Sequence, residues 1–290
     1  MDKLQKAYER LRLGSKLSME MYGKPLLVCY SGGKDSQVLL RLAIESGIEF
    51  EVQHSHTTAD APETVKTVRE TFRELELMGV SAVTNYPRMT MWQLIEKKLM
   101  PPTRIVRYCC NEFKEQHGKG RFIATGVRKS ESVARSKRET VEKLAKSKED
   151  REKFGDEVIL MNDGGEKRRE LERCIPKNTM CVNPIIDWTD SEVWDYFIGC
   201  NIRNPLYFDG WDRVGCIGCP IAGRHRYKEF ARYPKYRDAY IRAFGKMLDA
   251  RKAKGKPCSS WDDGMDVFRW WMEEKHVKGQ MELDLEEVGE

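Results

Sequence analysis

Two groups of residues in this 290-residue chain have the types and spacing to do chemistry. One is the run Ser31-Gly32-Gly33-Lys34-Asp35-Ser36, preceded by the apolar Leu26, Leu27 and Val28 and followed by Val38, Leu39, Leu42 and Ala43 at helical spacing. A glycine turn between a buried strand and an amphipathic helix is a place for phosphate. Glycine lets backbone N–H groups approach an anion, and the helix start adds unpaired N–H groups and a positive dipole end. Ser31, Lys34 and Ser36 supply further donors. The spacing is not the G-x-x-x-x-G-K-[ST] of the common phosphate loop, so the kinase and GTPase inference does not apply.

The other group is Cys109-Cys110 together with Cys216-Ile217-Gly218-Cys219. A Cys-x-x-Cys turn brings two thiolates to one metal, and Gly215 and Gly218 permit the tight chain around it. A second pair distant in sequence completes a four-thiolate site, suited to zinc or to an iron–sulfur cluster. Directly adjacent ligands are awkward around one small ion, whereas the separate iron corners of a cubane accommodate them more easily. The pattern therefore favours [4Fe-4S], with zinc and four unconnected buried thiols as the alternatives. Cys29 abuts the glycine turn but belongs to the strand, where core packing explains it, and Cys174, Cys181 and Cys200 show no ligand spacing among themselves. His54 and His56 alternate on a strand and so share a face; neither is assigned as a base.

The elements that must position these groups follow from periodicity. A helix is expected over Lys3 to Met21, then the strand at Leu26 to Val28 and the helix beginning near Asp35. Ile48 to His54 reads as a strand, followed by a polar turn and a helix opened by Pro62, with Val65, Val68, Phe72, Leu75 and Leu77 as its buried stripe. Val80 to Val83, Arg121 to Thr125 and Glu157 to Met161 are further strand candidates. Thr90 with Gln93, and Thr189 with Glu192, have capping-box spacing; the second opens a helix with Val193, Trp194 and Phe197 inward. From Arg128 to Lys153, ten Lys/Arg and six Asp/Glu suggest an exposed helix or a mobile loop. Strands alternating with helices imply a mostly parallel sheet, whose ligands collect at the carboxyl ends of the strands.

Nine cysteines, a charged helical N-terminus and no apolar run near the ~18 residues of a membrane span point to a reduced, cytoplasmic protein without a membrane partner. The net charge of +5 is uneven. Five acids in the last nine residues leave +10 on the rest. Between Ile221 and Lys256 twelve Lys/Arg stand against three Asp/Glu, a balance that suits a polyanion such as nucleic acid. Within that stretch Tyr236, Tyr240 and Phe244, four apart, form one helix stripe, for which packing is favoured over base stacking.

The run Ser31 to Ser36 resembles the PP-loop, Ser-Gly-Gly-x-Asp-Ser, of the ATP pyrophosphatases and of the adenylylsulfate and phosphoadenylylsulfate (PAPS) reductases. The paired cysteines are similar to those that hold a [4Fe-4S] cluster in bacterial adenylylsulfate reductases. His56-Thr57-Thr58-Ala59-Asp60-Ala61-Pro62-Glu63-Thr64 looks like a variant of the family's Asp-Thr-Gly…Pro-Glu-Thr segment, departing at the first acidic position. Thr125-Gly126-Val127-Arg128-Lys129-Ser130-Glu131-Ser132 resembles its Gly-x-Arg-x-x-Glu-Ser segment. Asn183-Pro184-Ile185-Ile186-Asp187-Trp188-Thr189, Val193-Trp194 and Asn204-Pro205-Leu206-Tyr207 are similar to further segments, so the likeness runs over most of residues 25 to 221. The family's reductases also carry a Glu-Cys-Gly-Leu-His segment whose cysteine attacks sulfur; it is missing from the last residues here, and the setting of Cys258 does not resemble it.

The resemblance implies an α/β protein with an open, mostly parallel sheet and helices on both faces, of the adenine nucleotide α-hydrolase type. Its parts would be an N-terminal helix (1–24), a PP-loop domain carrying the iron–sulfur site beside the nucleotide cleft (25–220), and a basic helical C-terminal extension with an acidic tail (221–290). The function it implies is an ATP pyrophosphatase that adenylates an acceptor for sulfur transfer, of the nucleic-acid phosphorothioation or thiolation type. Ser31, Gly32, Gly33 and Ser36 would hold pyrophosphate, Lys34 would stabilise its developing charge, Asp35 would help place Mg²⁺ with ATP, and Arg128 would complete the anion site. Cys109, Cys110, Cys216 and Cys219 would bind the [4Fe-4S] cluster. A cysteine desulfurase or other sulfur donor is the implied partner. The alternatives are an adenylylsulfate or phosphoadenylylsulfate reductase with its nucleophile relocated to Cys258, and a non-enzymatic nucleotide- or polyanion-binding protein.

Overall fold

A computed structural model describes residues 2–115, 118–144, 152–154, 179–199, 204–258 and 261–273. In chain order its strands are β1 (Leu26–Cys29), β2 (Phe50–Ser55), β3 (Ala82–Asn85), β4 (Phe122–Ala124), β5 (Val141–Leu144), β6 (Lys153–Phe154) and β7 (Thr179–Val182). Its α-helices are α1 (Lys3–Tyr22), α2 (Lys34–Glu45), α3 (Pro62–Leu77), α4 (Met91–Lys98), α5 (Tyr108–Phe113), α6 (Val133–Ser136), α7 (Asp190–Gly199), α8 (His225–Arg232), α9 (Pro234–Ala253) and α10 (Gly264–Glu273). The sheet order is β3-β2-β1-β4-β7-β5-β6, parallel through β7 and antiparallel beyond it. This is the expected open, mostly parallel α/β sheet, and the C-terminal region is helical as expected.

The register puts Leu26 beside Phe50, and Val28 beside Val52 and Ala124. Those residues share one face by alternation, and with Met180 and Val182 they form the main core against α1, α2 and α3. Leu27, Ile123 and Cys181 make a smaller cluster on the opposite face. Arg10 of α1 is fully buried; its guanidinium grips the Asp187 carboxylate at 2.6 and 3.1 Å and the Pro184 carbonyl at 2.8 Å. Paired in this way, a buried charge is tolerated.

Both capping boxes form. Thr90 and Gln93 open α4, and Thr189 and Glu192 open α7, where Val193 and Phe197 are buried and Trp194 is half-buried. Three readings need correction. Leu77 is 89% exposed and Val65 is only half-buried: the buried stripe of α3 runs through Thr64, Thr67, Val68, Thr71, Phe72 and Leu75, so it uses threonines and ends two residues earlier. The described part of the charged stretch from Arg128 to Lys153 is neither one exposed helix nor a loop, for β5 pairs antiparallel with β7 and buries Val141 and Glu142 completely. Glu142 can be there because Arg138 and the Asn183 side chain bond its carboxylate. β2 and β3 each begin two residues later than expected. The expected strand at Glu157 to Met161, together with Cys174, Cys200 and the acidic tail, lies outside the described residues.

The chain divides into two units. One comprises residues 1–56, 60–86 and 113–215 and holds the sheet; the other comprises 57–59, 87–112 and 216–290 and contains α4, α5, α8, α9 and α10.

Candidate functional site

In the sheet unit, β1 ends at Cys29 and α2 starts at Lys34, so Tyr30 to Gly33 is the whole turn. Gly32 sits at φ +76°, where a side chain is strained, and a Cβ there would lie 2.9 Å from Thr64. Ser36 clamps the turn: its hydroxyl accepts from the Ser31 N–H at 3.1 Å and donates to the Gly33 carbonyl at 2.8 Å. The Gly32 carbonyl accepts from Gln37 at 3.0 Å and from Asn204 at 3.1 Å. The first amide of α2, the Lys34 N–H, donates to the Tyr207 hydroxyl at 2.7 Å. Burial raises the Tyr207 pKa, which keeps it a neutral phenol.

Four charges gather at this helix start. Lys34 Nζ lies 3.2 Å from Asp35 and 3.0 Å from Asp190, and 5.7 Å from the centroid of the Trp194 ring. The Arg128 guanidinium donates from Nε to Asp35 at 2.7 Å, from Nη2 to Asp190 at 2.9 Å and from Nη1 to the Ser130 hydroxyl at 3.0 Å. Lys34 and Arg128 are buried, whereas the Asp190 side chain is 63% exposed. Burial works to raise the Asp190 pKa, yet the hydrogen bonds and charges of Lys34 and Arg128 hold it below the usual carboxylate range. Two cations and two carboxylates sum to zero, so the loop carries no net charge of its own. The structure thus brings Ser31, Gly32, Gly33, Lys34, Asp35, Ser36 and Arg128 together. Sequence reasoning did not select Asp190, Asn204 or Tyr207 as site residues. Asp190 was legible only as part of a capping box, and the other two only as part of the Asn-Pro-Leu-Tyr likeness.

The cysteine pairs both belong to the second unit. Cys109 and Cys110 lie on the short helix α5, anchored where the Tyr108 hydroxyl donates to the Met100 carbonyl at 2.7 Å. Gly218, at φ +74°, has no room for a side chain: a Cβ would meet Phe230 at 2.6 Å, Tyr240 at 2.9 Å and Trp271 at 3.0 Å. Its N–H donates to the buried Glu229 carboxylate at 2.6 Å, and the Tyr240 hydroxyl donates to the Ile217 carbonyl at 2.9 Å. The Tyr236, Tyr240, Phe244 stripe is therefore packing. Tyr240 and Phe244 are buried, with Tyr240 against Trp92, Phe230 and Trp271 at ring-centroid distances of 4.7, 5.7 and 4.8 Å. The Cys109 thiol pKa is pushed far up by its hydrogen bond with Cys110, by burial and by the nearby Cys110, Cys216 and Cys219. A cation among these neighbouring sulfurs would favour the thiolate of Cys109, which is the chemistry of a thiolate-ligated metal or cluster.

Some of the twelve cations between Ile221 and Lys256 have partners within the protein, Arg237 pairing with Asp238 at 3.0 Å. Arg226 is buried on the Trp271 and Met272 carbonyls, and Arg251 holds the Leu99 and Pro257 carbonyls. Arg237, Arg242 and Lys246 are exposed along α9. Cys29 is half-buried, its thiol accepting from Gln53 at 3.4 Å, and burial raises its pKa; burial pushes Cys181 up to about 12. Cys258 is half-buried, beside the Lys256 carbonyl at 3.5 Å. His54 is buried, with its pKa lowered by that burial, and His56 stands 3.2 Å from Asp60. Among the described residues no helix is long and apolar enough to cross a membrane.

Residues 25–222 match the sequence profile of the phosphoadenosine phosphosulfate reductase domain. Among curated proteins the chain is similar to uncharacterized protein MJ0973 of Methanocaldococcus jannaschii, 26% identical over 273 residues that cover 88% of this chain and 56% of that one. It is also similar to uncharacterized protein MJ0066 of the same organism, 27% identical over 225 residues, covering 73% and 40%. The chain thus spans about half the length of the curated relatives it matches. Among solved structures, a phosphoadenylyl-sulfate reductase from Candida auris in complex with phosphate aligns with a TM-score of 0.45 at 13% identity, over 72% of this chain and 87% of that one.

Proposed function

The chain belongs to the phosphoadenosine phosphosulfate reductase domain family, and from that premise we propose that it uses ATP to adenylate an acceptor, releasing pyrophosphate and so preparing the acceptor for sulfur transfer. The observation that carries this reading is the pair of carboxylates at the glycine turn, Asp35 and Asp190, each bonded to both Lys34 and Arg128. A sulfonucleotide reduced at sulfur needs cations for its phosphates but no acids beside them. A magnesium polyphosphate needs both. Asp35 and Asp190 would hold Mg²⁺, which supplies charge neutralisation on the phosphates, and their engagement with the ion would turn Lys34 and Arg128 toward phosphate oxygens.

The acceptor oxygen attacks the α-phosphorus, the bond to the bridging oxygen breaks, and pyrophosphate leaves with both electrons of that bond. Lys34 stabilises the charge that develops on it, while the Ser31 to Ser36 turn and the α2 N-terminus hold its oxygens. A sulfur nucleophile then displaces AMP from the adenylated acceptor. Cys109, Cys110, Cys216 and Cys219 would hold a [4Fe-4S] cluster, which supplies thiophilic iron or electrons for the sulfur step. The exposed Arg237, Arg242 and Lys246 on α9 support a polyanionic acceptor, nucleic acid above all.

Purified protein is to be incubated with ATP and Mg²⁺, with and without RNA or DNA, and separately with adenylylsulfate and with phosphoadenylylsulfate under reducing conditions. Pyrophosphate release from ATP that increases with a nucleic acid is the expected result. Sulfite release from either sulfonucleotide, with ATP left intact, would replace this reading by a reductase.

A further inference from the structure

We propose that His54, His56 and Asp60 form a binding site for a divalent first-row transition-metal ion at the carboxyl end of β2. One potential ligand atom from each of the three residues lies within 4.8 Å of the other two. His56 Nδ1 and an Asp60 carboxylate oxygen are 3.2 Å apart, close to the ~3.3 Å edge of a tetrahedron with metal–ligand bonds near 2.0–2.1 Å. His54 and Asp60 are buried and His56 is half-buried, so this is not a patch of solvated acids.

The tautomer of His54 is also set. Its Nδ1 lies 3.0 Å from the Tyr30 carbonyl oxygen, which can only accept, so Nδ1 carries the proton and Nε2 keeps the lone pair that a metal requires. A ligating imidazole whose other nitrogen donates to a backbone carbonyl is the usual arrangement around a bound metal, because that bond fixes the ring. The chain between the other two donors is held in a costly shape. Thr58, a β-branched residue, sits at φ +62°, a conformation worth about 1–3 kcal/mol of strain, and its hydroxyl accepts from the Met91 N–H at 2.9 Å. The His56 and Asp60 side chains meet across that turn.

Two imidazoles and one carboxylate suit zinc, iron(II), cobalt(II) or nickel(II) better than magnesium or calcium, which prefer oxygen donors. Three protein donors leave at least one coordination position for water or substrate. The site shares no residue with the Asp35 and Asp190 pair or with the four cysteines, and it stands apart from the adenylation reading.

Cobalt(II) is the probe, because its spectrum separates donor types without any need for turnover. Bound at nitrogen and oxygen it gives weak visible bands alone; bound at thiolates it adds an intense near-ultraviolet charge-transfer band. Titration of the full chain is expected to show a nitrogen–oxygen cobalt species that zinc displaces and excess magnesium does not. In Asp60→Asn and His56→Ala its affinity should fall at least about tenfold to a hundredfold, with any thiolate band unchanged. Asp60→Asn is isosteric and keeps the shape of the turn, and circular dichroism checks the fold of both variants. A cobalt spectrum with thiolate character alone, or a nitrogen–oxygen species unmoved in a folded Asp60→Asn protein, would overturn the site.

Discussion

The glycine turn and the cysteine turn hold their functional atoms by opposite means. At the glycine turn the constraint is mostly polar: Ser36 clamps the backbone, Asn204 and Tyr207 take a carbonyl and an amide, and Lys34, Asp35, Arg128 and Asp190 cancel one another's charge. At the cysteine turn the constraint is mostly steric. Gly218 is wedged against Phe230, Tyr240 and Trp271, and Cys109 is crowded by Cys110, Cys216 and Cys219. The contrast teaches what each site is prepared for. A site already neutral exchanges partners when a charged ligand arrives, whereas a site of crowded thiols is completed by its ligand.

The sharpest way to break this comparison is Gly218→Ala. An added Cβ meets three aromatic rings, and the backbone sits where L-residues are strained. Destabilisation of roughly 2–4 kcal/mol is expected, with loss of bound iron. Denaturant unfolding and iron and acid-labile sulfide analysis of anaerobically purified protein read both, and an unchanged midpoint with full iron would show that packing does not hold the turn. The wild-type assay matters too: near-equal iron and sulfide is expected, and colourless protein with one zinc would remove the cluster.

Arg128→Met comes next. It leaves Asp35 and Asp190 sharing only Lys34, for a loss of about 1–3 kcal/mol, and ATP binding measured by calorimetry should weaken at least tenfold. Arg128→Lys keeps the charge but not the fork that reaches both acids, so it should recover stability only in part. Full recovery would mean that charge alone matters at this turn. Tyr207→Phe removes the acceptor of the Lys34 amide and should cost about 0.5–1.5 kcal/mol, read from the same unfolding curves.

The smallest effect concerns Glu192, whose pKa is held at about 2 by its hydrogen bond with Lys3 and by the Thr189 backbone N–H of the capping box. Its folded value lies below its unfolded one, so its contribution is complete above the ordinary glutamate range and disappears as pH falls toward about 2. Glu192→Gln should therefore be slightly less stable than wild type at neutral pH and converge with it in acid. A difference that persists at pH 2 would assign the effect to something other than this charge.

Much of the frame was legible in the sequence because it is written locally. The strand, turn and helix around Ser31 to Ser36 are contiguous, both capping boxes occupy four residues, and the Cys-x-x-Cys spacing marks its own turn. What escaped was set by partners distant in the chain. β5 hides in a run of charges because Glu142 is paired with Arg138 and accepts a hydrogen bond from the Asn183 amide, which composition cannot show. Asp190 looks like a cap residue until the fold carries it to Lys34 and Arg128. Leu77 fitted the apolar period but falls on the last residue of α3, while three threonines take the buried stripe upstream. His54 and His56 were recognised as sharing a face, but Asp60 joins them only because the turn at Thr58 doubles back.

The indoles of this chain are placed as native optical reporters. Trp194 lies under Lys34, where the glycine turn begins its helix, and Trp92 and Trp271 flank the tyrosine that bonds the cysteine turn. A charge arriving at either turn changes the field at a different tryptophan. Variants that keep Trp194 alone, or Trp271 alone, out of the seven would let emission follow nucleotide loading and metal loading as two separate signals, in real time and without an attached dye.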